Sequence, residues 1–384
     1  MFKKLQNKIR NFLIDSDYRS VDWTLIIAIL LVTFFGLVMI SSVGVAIGLQ
    51  KHNDLYWYFK HQITSGVLPG LLGFVFFYFF NYERLKKYAP AMLFISIFLL
   101  VLVFIPGIGA PWGSAKSWIH IFGFSLQPSE IVKLTFLIYL SAWLANKEDH
   151  HLKNPSYGFF PFIIILSVIA GLLILEPDTG TMLVIVVMSL AVYFSAGGSL
   201  FHIFWLGVSG FLGLILLISS NPDSHRAKRL ITFLHPELDP RGIGYHINQA
   251  LLAVGSGGWL GRGYGRSRQK FSYLPQVEGD SIFAVIAEEL GFILSACLVF
   301  AYLFIGMRGL KMASGVSDQF GKLLATGIIV WLVAQAFINI SAIIGLVPLT
   351  GITLPFISHG GTSMAISLSA VGILANISKN SSFK

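Results

Sequence analysis

The sequence predicts an all-α polytopic membrane protein of ten transmembrane helices, N-in and C-in, with one long extracytoplasmic loop before the eighth span. Three observations carry this expectation. Only 12% of the 384 residues are charged and 55% are apolar, where soluble domains carry about 25% charge, so lipid-facing surface must stand in for the missing polar surface. Ten stretches approach the roughly 20 apolar residues that a bilayer crossing needs. Lys and Arg are split unevenly between those stretches, with fifteen in the segments assigned inside and three in the short outer loops, the bias that orients membrane proteins.

The first span, 24–46, is too long and too late for a cleaved signal, and no Ala-x-Ala site follows it. The second and third, 62–80 and 90–108, flank an inner turn with Arg84, Lys86 and Lys87. The fourth, 129–145, starts at Pro128, a residue suited to a first helical turn. The fifth and sixth, 159–175 and 180–197, meet in the tight outer turn Glu176-Pro177-Asp178-Thr179-Gly180-Thr181. The seventh, 200–219, leads into segment 220–280, which is rich in Gly and Arg; long loops of this kind are exempt from the charge rule and often carry function. The eighth, 281–306, follows Glu278-Gly279-Asp280-Ser281 and holds Glu288 and Glu289 deeper. Spans at 322–346 and 361–378 complete the membrane domain, 23–378, between cytoplasmic segments 1–22 and 379–384.

The net charge of +9 fits basic inner loops on anionic lipid and gives no reason to expect a nucleic-acid partner. One cysteine, Cys297, rules out an intramolecular disulfide and any Cys-x-x-Cys metal site. Its apolar surroundings predict a buried, inert thiol.

Ionisable residues within or at the ends of spans are costly and mark candidate sites. Glu130 and Lys133 share a helix face at i, i+3, as a local ion pair or as part of a site. Asp178 suits an N-cap of the sixth span, and Asp280 an N-cap of the eighth. Capping lowers a carboxylate pKa, whereas a general base works best with a raised one; burial and nearby carboxylates raise it, and the sequence leaves the two pulls open. These acids share the outer side with Arg226, Lys228, Arg229, Arg241, Arg262, Arg266, Arg268 and Lys270. That pairing suits an anionic phosphate substrate bearing a hydroxyl to be deprotonated, and equally a solvated basic loop on anionic lipid. The glycine runs Gly255–Gly258 and Gly261–Gly265 lack the strand–turn–helix setting of a dinucleotide loop, and read as flexible or re-entrant backbone. His359 has no His or Cys partner at ligand spacing, so a zinc site is not expected.

These residues fall in an ordered set of signatures: Ala115-Lys116-Ser117-Trp118-Ile119; Gln127-Pro128-Ser129-Glu130 with Lys133; Glu176-Pro177-Asp178 with Gly180-Thr181; Gly255-Ser256-Gly257-Gly258; Asp280-Ser281-Ile282-Phe283-Ala284-Val285 leading to Glu288-Glu289-Leu290-Gly291; and Leu354-Pro355-Phe356-Ile357-Ser358-His359-Gly360-Gly361-Thr362-Ser363. Together, and on matching membrane sides, they make the chain resemble the SEDS family of FtsW, RodA and SpoVE over roughly residues 20–378, with most likeness to FtsW or SpoVE. It departs from the family pattern at Ser117, Gln276, Thr350 and His359, and keeps the acid at Asp280.

The resemblance implies a peptidoglycan glycosyltransferase of cell division, in the bacterial cytoplasmic membrane, acting at its outer face. It would polymerise lipid II by inverting transfer from a polyprenyl-diphosphate donor. Asp280 would be the general base, and Arg226 and Arg229 would hold diphosphate. Lys133, Glu130, Glu176, Asp178, Ser358 and Ser363 would line the substrate site. A divalent cation, Mg or Mn, with ligands unassigned, would neutralise the leaving group, and no organic cofactor is implied. Expected partners are a class B penicillin-binding protein, docked on the eighth and ninth spans, and other division proteins. Two rival readings use the same residues: a lipid II flippase, which needs charge at both leaflets or at midplane, and a non-catalytic division scaffold, which has no need of Asp280.

Overall fold

The computed structural model describes residues 21–383 except 106–108, 113–114, 122–123, 148–151, 153, 221–224, 236–241 and 272. The principal helices among the described residues are α1 (Trp23–His52), α2 (Trp57–Phe79), α3 (Glu83–Leu102), α4 (Pro128–Ala145), α5 (Pro155–Leu175), α6 (Thr179–Ser195), α7 (Leu200–Ser220), α8 (His225–Leu234), α9 (Ile243–Ser256), α10 (Ile282–Ser314), α11 (Gln319–Ile343) and α12 (Gly361–Ser378). Seven of them, α1, α2, α3, α5, α10, α11 and α12, are long and apolar enough to cross a membrane, and the chain is a multi-pass membrane protein. Shorter apolar helices are α6 and the described part of α7, while α4 has 18 residues and carries Glu130 and Lys133.

The helix starts follow local chemistry. Asp22 caps α1 through the Leu25 amide at 3.1 Å, and Asp178 caps α6 through the Thr181 amide at 3.1 Å, as expected of carboxylates at N-termini. Pro128 opens α4 after Gln127. The expectation fails at Asp280. Helix α10 starts at Ile282 behind Ser281, with no side-chain cap, because one extra turn residue lifts the Asp280 carboxylate off the helix end.

An all-α reading also needs correction. Residues 109–126 form a three-stranded antiparallel sheet of β1 (Gly109–Trp112), β2 (Ala115–Ile121) and β3 (Phe124–Leu126), in the order β1-β2-β3. Ser117 and Ile119 lie two apart on one buried face of β2, and Ser117 Oγ donates to the Glu176 carbonyl at 3.2 Å. A short polar–apolar alternation between two spans sufficed for strands; the long apolar windows on either side masked it. The long segment before α10 is likewise built from two helices, α8 and α9, rather than bare loop.

Helices α11 and α12 are buried along most of their length, whereas α2 and α3 turn most of theirs outward. Close approach depends on small residues, as membrane bundles require: a Cβ on Gly70 would meet Leu368 Cδ1 at 2.7 Å, and one on Gly73 would meet Ser369 Oγ at 2.0 Å. Apart from Glu288, Glu289, Arg308 and Lys311, helix α10 spreads apolar residues over every face, so its orientation was not readable in sequence. Its outward stripe includes Phe292, Phe300, Phe304 and Met307. Cys297 is exposed on this helix rather than buried as expected.

The glycine runs do a specific job. Helix α10 is interrupted at Gly291, with φ 76 and ψ −178, and segment 257–263 runs beside the break. Arg262 N donates to Glu288 O at 3.0 Å, Gly263 N to Glu289 O at 2.9 Å, and Phe292 N to Gly258 O at 2.9 Å. A Cβ on Gly291 would lie 2.2 Å from Gly261 N, and one on Gly261 would lie 2.2 Å from Glu289 O, so only glycine fits at both sides of this contact. Freed carbonyls thus find backbone partners, the condition for irregular backbone at membrane depth.

Polar pairs mark the two ends of the bundle. At one end Asp22 pairs with Arg308 at 2.8 Å, its amide binds Ser378 Oγ at 3.2 Å, and Tyr82 bonds Asp318 and Asn380. At the other end lie Gln62, Asp178, Asp280 and Ser358. Ser42, which donates to Glu289 at 2.8 Å, is 20 residues above Asp22, or roughly 30 Å along α1, about one hydrocarbon thickness.

Candidate active site

Asp280 sits in the turn before α10 and is buried. Three helices and one loop converge on it. From α8, Arg229 donates through Nη1 to the Thr350 carbonyl at 3.3 Å. From the α11–α12 loop, Gly351 brings the two charges together: a Cβ there would lie 3.8 Å from Arg229 Nη2 and 3.9 Å from Asp280 Oδ2. From α11, Asn339 Nδ2 donates to the Asp280 carbonyl at 2.8 Å and the Ile352 carbonyl at 2.7 Å. From α9, His246 Nε2 lies 2.6 Å from Ser281 Oγ, which lies 3.3 Å from Asp280 Oδ1.

Burial pushes the Asp280 carboxyl up to about 7, against the Ser281 hydroxyl and the Arg229 charge, with Glu278 adding to the rise. A group poised there is half ionised at neutral pH and suits general-base work. Burial lowers Arg229 from its ordinary value, while Asp280 and Asp178 hold its charge in place. Glu176, also buried, is pushed up to about 9 by desolvation and then by Asp178, so it is a neutral acid at pH 7.

A second polar group lies one helical turn away. Lys133 Nζ is 2.8 Å from Glu130 Oε2 with both side chains buried, donates to Gln335 Oε1 at 2.6 Å and lies over the Trp331 ring. Gln335 Nε2 in turn donates to the Thr353 carbonyl at 2.9 Å, and Thr353 Oγ1 meets Ser363 Oγ at 3.0 Å. Gln335 and Asn339 sit at i, i+4 on α11, so one face of one helix joins the Lys133 group to the Asp280 group. Ser358 Oγ donates to Gly279 O at 2.6 Å, and its carbonyl accepts from Gln62 Nε2 at 3.1 Å. Asp178, besides capping α6, accepts from Ser129 Oγ at 2.9 Å.

The expected residues therefore divide. Asp280 and Arg229 lie on either side of Gly351 and interact through their charges; Asp178 also acts on Arg229 through its charge; Ser358 holds the turn of Asp280; Glu130, Lys133 and Ser363 belong to the adjoining group. Arg226 is placed on α8, but its side chain lies outside the described residues, as does Arg241. Two of the remaining bases turn to other acids: Arg262 pairs with Glu288 at 3.6 Å and Lys270 with Glu289 at 2.8 Å. Glu288 also accepts from Ser267 Oγ at 2.5 Å, so these two acids hold the 262–270 loop against the break in α10. Sequence reasoning missed Gln335, Asn339, Thr353, Gln62 and His246. The first two had a signal, a pair of amides one turn apart inside a span.

Among the described residues no group of three or more His, Cys, Asp or Glu converges to hold a metal ion. They do not fit a dedicated cage for a divalent cation.

A family model described as cell cycle protein, FtsW/RodA/SpoVE, matches residues 22–383. The chain belongs to the FtsW/RodA/SpoVE family. It is 38% identical to the stage V sporulation protein E of Bacillus subtilis (strain 168) over 364 residues, covering 95% of this chain and 98% of that one. It is 37% identical to the probable peptidoglycan glycosyltransferase FtsW of Trichlorobacter lovleyi, covering 93% of each. Its fold matches that of the rod shape determining protein RodA of Thermus thermophilus, with a TM-score of 0.69 at 23% identity over 96% of this chain and 100% of that one. It also matches a chain from a peptidoglycan synthase complex that coordinates polymerization and crosslinking, with a TM-score of 0.79 at 23% identity over 94% of this chain and 98% of that one. The family match spans residues 22–383, and the fold matches cover 94% and 96% of the chain.

Proposed function

We propose that this FtsW/RodA/SpoVE chain is a peptidoglycan glycosyltransferase that polymerises lipid II at the outer face of the bacterial cytoplasmic membrane, in cell division. The observation that carries the chemistry is Asp280, buried and poised near pH 7, facing Arg229 across Gly351. Asp280 takes the proton from the acceptor sugar hydroxyl, whose oxygen attacks the anomeric carbon with inversion. The polyprenyl diphosphate leaves with the bonding electron pair. Arg229, with Arg226 on the same helix, binds diphosphate oxygens, for which the guanidinium fork is suited. Glu176, Asp178, Ser358 and Ser363 shape the surrounding substrate site, and the Glu130–Lys133 pair braces it. A flippase needs matching charge at both leaflets or at midplane. The concentration of buried acids and bases at the Asp280 end favours the enzyme.

Arg229 offers the direct test of substrate binding. A hydrogen bond to a charged group contributes about 1.5–3 kcal/mol. Arg229→Ala should therefore raise the lipid II concentration for half-maximal polymerisation about 10- to 100-fold, and Arg229→Lys should recover only part. An unchanged value in Arg229→Ala would remove the diphosphate role. Absence of any glycan from purified lipid II, with the partner transpeptidase present, would overturn the enzymatic reading.

The orientation that serves this function has ten spans with N-in and C-in termini and a cytoplasmic segment at each end of the membrane domain. The gathering of Asp22, Tyr82, Arg308 and Ser378 at one end of the bundle supports it. In a Cys297→Ser background, an impermeant maleimide should label Lys51→Cys and Arg268→Cys on intact cells. Lys86→Cys and Ser317→Cys should react only after permeabilisation. Labelling of Ser317→Cys from outside would refute this topology. The class B penicillin-binding protein partner is assigned to the exposed apolar stripe of α10 and the adjoining half-buried Phe337 and Ile338 of α11.

A further inference from the structure

The turn that carries Asp280 holds a second hydrogen bond with no part in the reaction above. We propose that His246 is a positioning residue for Asp280, acting through the Ser281 hydroxyl, an inference that rests on Asp280 as the general base. Ser281 Oγ has one proton to give. It stands 3.3 Å from Asp280 Oδ1, and a carboxylate only accepts, so that proton points to Oδ1. His246 Nε2, 2.6 Å from the same Oγ, must then be the donor, which selects the Nε2–H tautomer. Burial pushes the His246 imidazole down to about 4, with the Arg229 charge adding to the fall, so the ring is neutral when the enzyme works.

The result is a one-way chain, His246 to Ser281 to Asp280. It occupies Oδ1 and leaves Oδ2, the oxygen facing Gly351 and Arg229, for the substrate. The Ser281 contact is long for a hydroxyl–carboxylate bond, and catalytic hydrogen bonds of this kind tighten when substrate arrives. The sugar proton goes to Oδ2, the C–O bond to the acceptor forms, and the bond to diphosphate breaks, while His246 keeps its own proton throughout. The groups that face Asp280 are Arg229 from α8, Glu278 from its own turn, Ser281, and the Asn339 amide of α11 on its carbonyl. His246 is the ionisable side chain that reaches it through a hydroxyl.

The test is the pH profile of lipid II polymerisation by the full chain with its transpeptidase partner. Activity should rise with pH through the Asp280 midpoint. His246→Leu removes the donor that polarises Ser281, weakens support for the ionised form, and should move that midpoint up by about half to one pH unit. The plateau rate should fall about tenfold, with the half-saturating lipid II concentration unchanged. His246→Gln places an N–H at similar reach and should return the midpoint toward wild type. Ser281→Ala should shift it in the same direction as His246→Leu, and His246→Phe carries the test if His246→Leu does not accumulate. A merely structural role would lower the plateau and leave the midpoint in place, and that result would overturn the proposal. Asp280→Asn measured alongside separates the two failures. If it is inactive while the His246→Leu and Ser281→Ala midpoints stay put, only the positioning role is lost. If it polymerises normally, the base assignment itself has failed.

Discussion

Asp280→Asn is expected to insert and fold normally and to lose lipid II polymerisation by about 10²–10⁴, the usual contribution of a positioned general base. Asn keeps the size of the side chain and can accept from Ser281 through its carbonyl, but it cannot take a sugar proton. Stability provides an independent reading. Burial raises the Asp280 pKa to about 7, so the folded chain binds this proton more tightly than the unfolded one. The stability that it contributes is fully present below the ordinary carboxylate value and is lost as pH rises through about 7. At pH 8 the wild-type chain holds an ionised group that Asn does not have, and Asp280→Asn should melt at the same temperature or higher. A helix-capping Asp would behave oppositely, with near-normal activity in Asn and lost stability in Ala. Wild-type polymerisation by Asp280→Asn would move the base role to Glu278 or Asp178. The same titration predicts that wild-type activity falls on acidification below about pH 7.

Lys133→Met should be strongly destabilising. Lys133 and Glu130 are both buried and 2.8 Å apart, and removing one partner of such a pair leaves an uncompensated charge, at a cost of about 3–5 kcal/mol. Lys133 also supplies the proton that satisfies Gln335 Oε1, although Trp331 Nε1, at 2.8 Å, still binds that oxygen. The double substitution Glu130→Gln with Lys133→Met should recover most of the loss, because replacing both charges removes the desolvation penalty along with the attraction. Thermal unfolding in detergent reads both variants. If Lys133→Met melts with wild type, the pair is not the brace that the geometry describes.

The sequence by itself determined the long-range plan. Hydrophobic length is a local property, so the windows at 24–46, 322–346 and 361–378 fall on α1, α11 and α12. Helix starts at Pro128 and Asp178 were equally legible, since a cap acts on amides two or three residues away. The sequence also put Asp280 and Arg229 among the candidates, as an acid beside a basic segment, and the fold sets them on either side of Gly351. Tertiary structure decided the rest, for one physical reason: the contacts that matter join residues far apart in the chain. Asp280 resembles a cap in sequence, yet the turn at Gly279 and Ser281, held by Ser358 from 79 residues away, lifts it off the helix and toward Gly351. Glu288 and Glu289 read only as acids deeper in the eighth span, and the folded chain brings Ser267 and Lys270 onto them. The glycine runs read as flexible loop, and only the break at Gly291 explains why no side chain fits there. Gln335, Asn339 and His246 are unremarkable until helix packing sets them against Lys133, the Asp280 carbonyl and Ser281. Their roles are created by burial, which makes each polar group find a partner that sequence distance conceals.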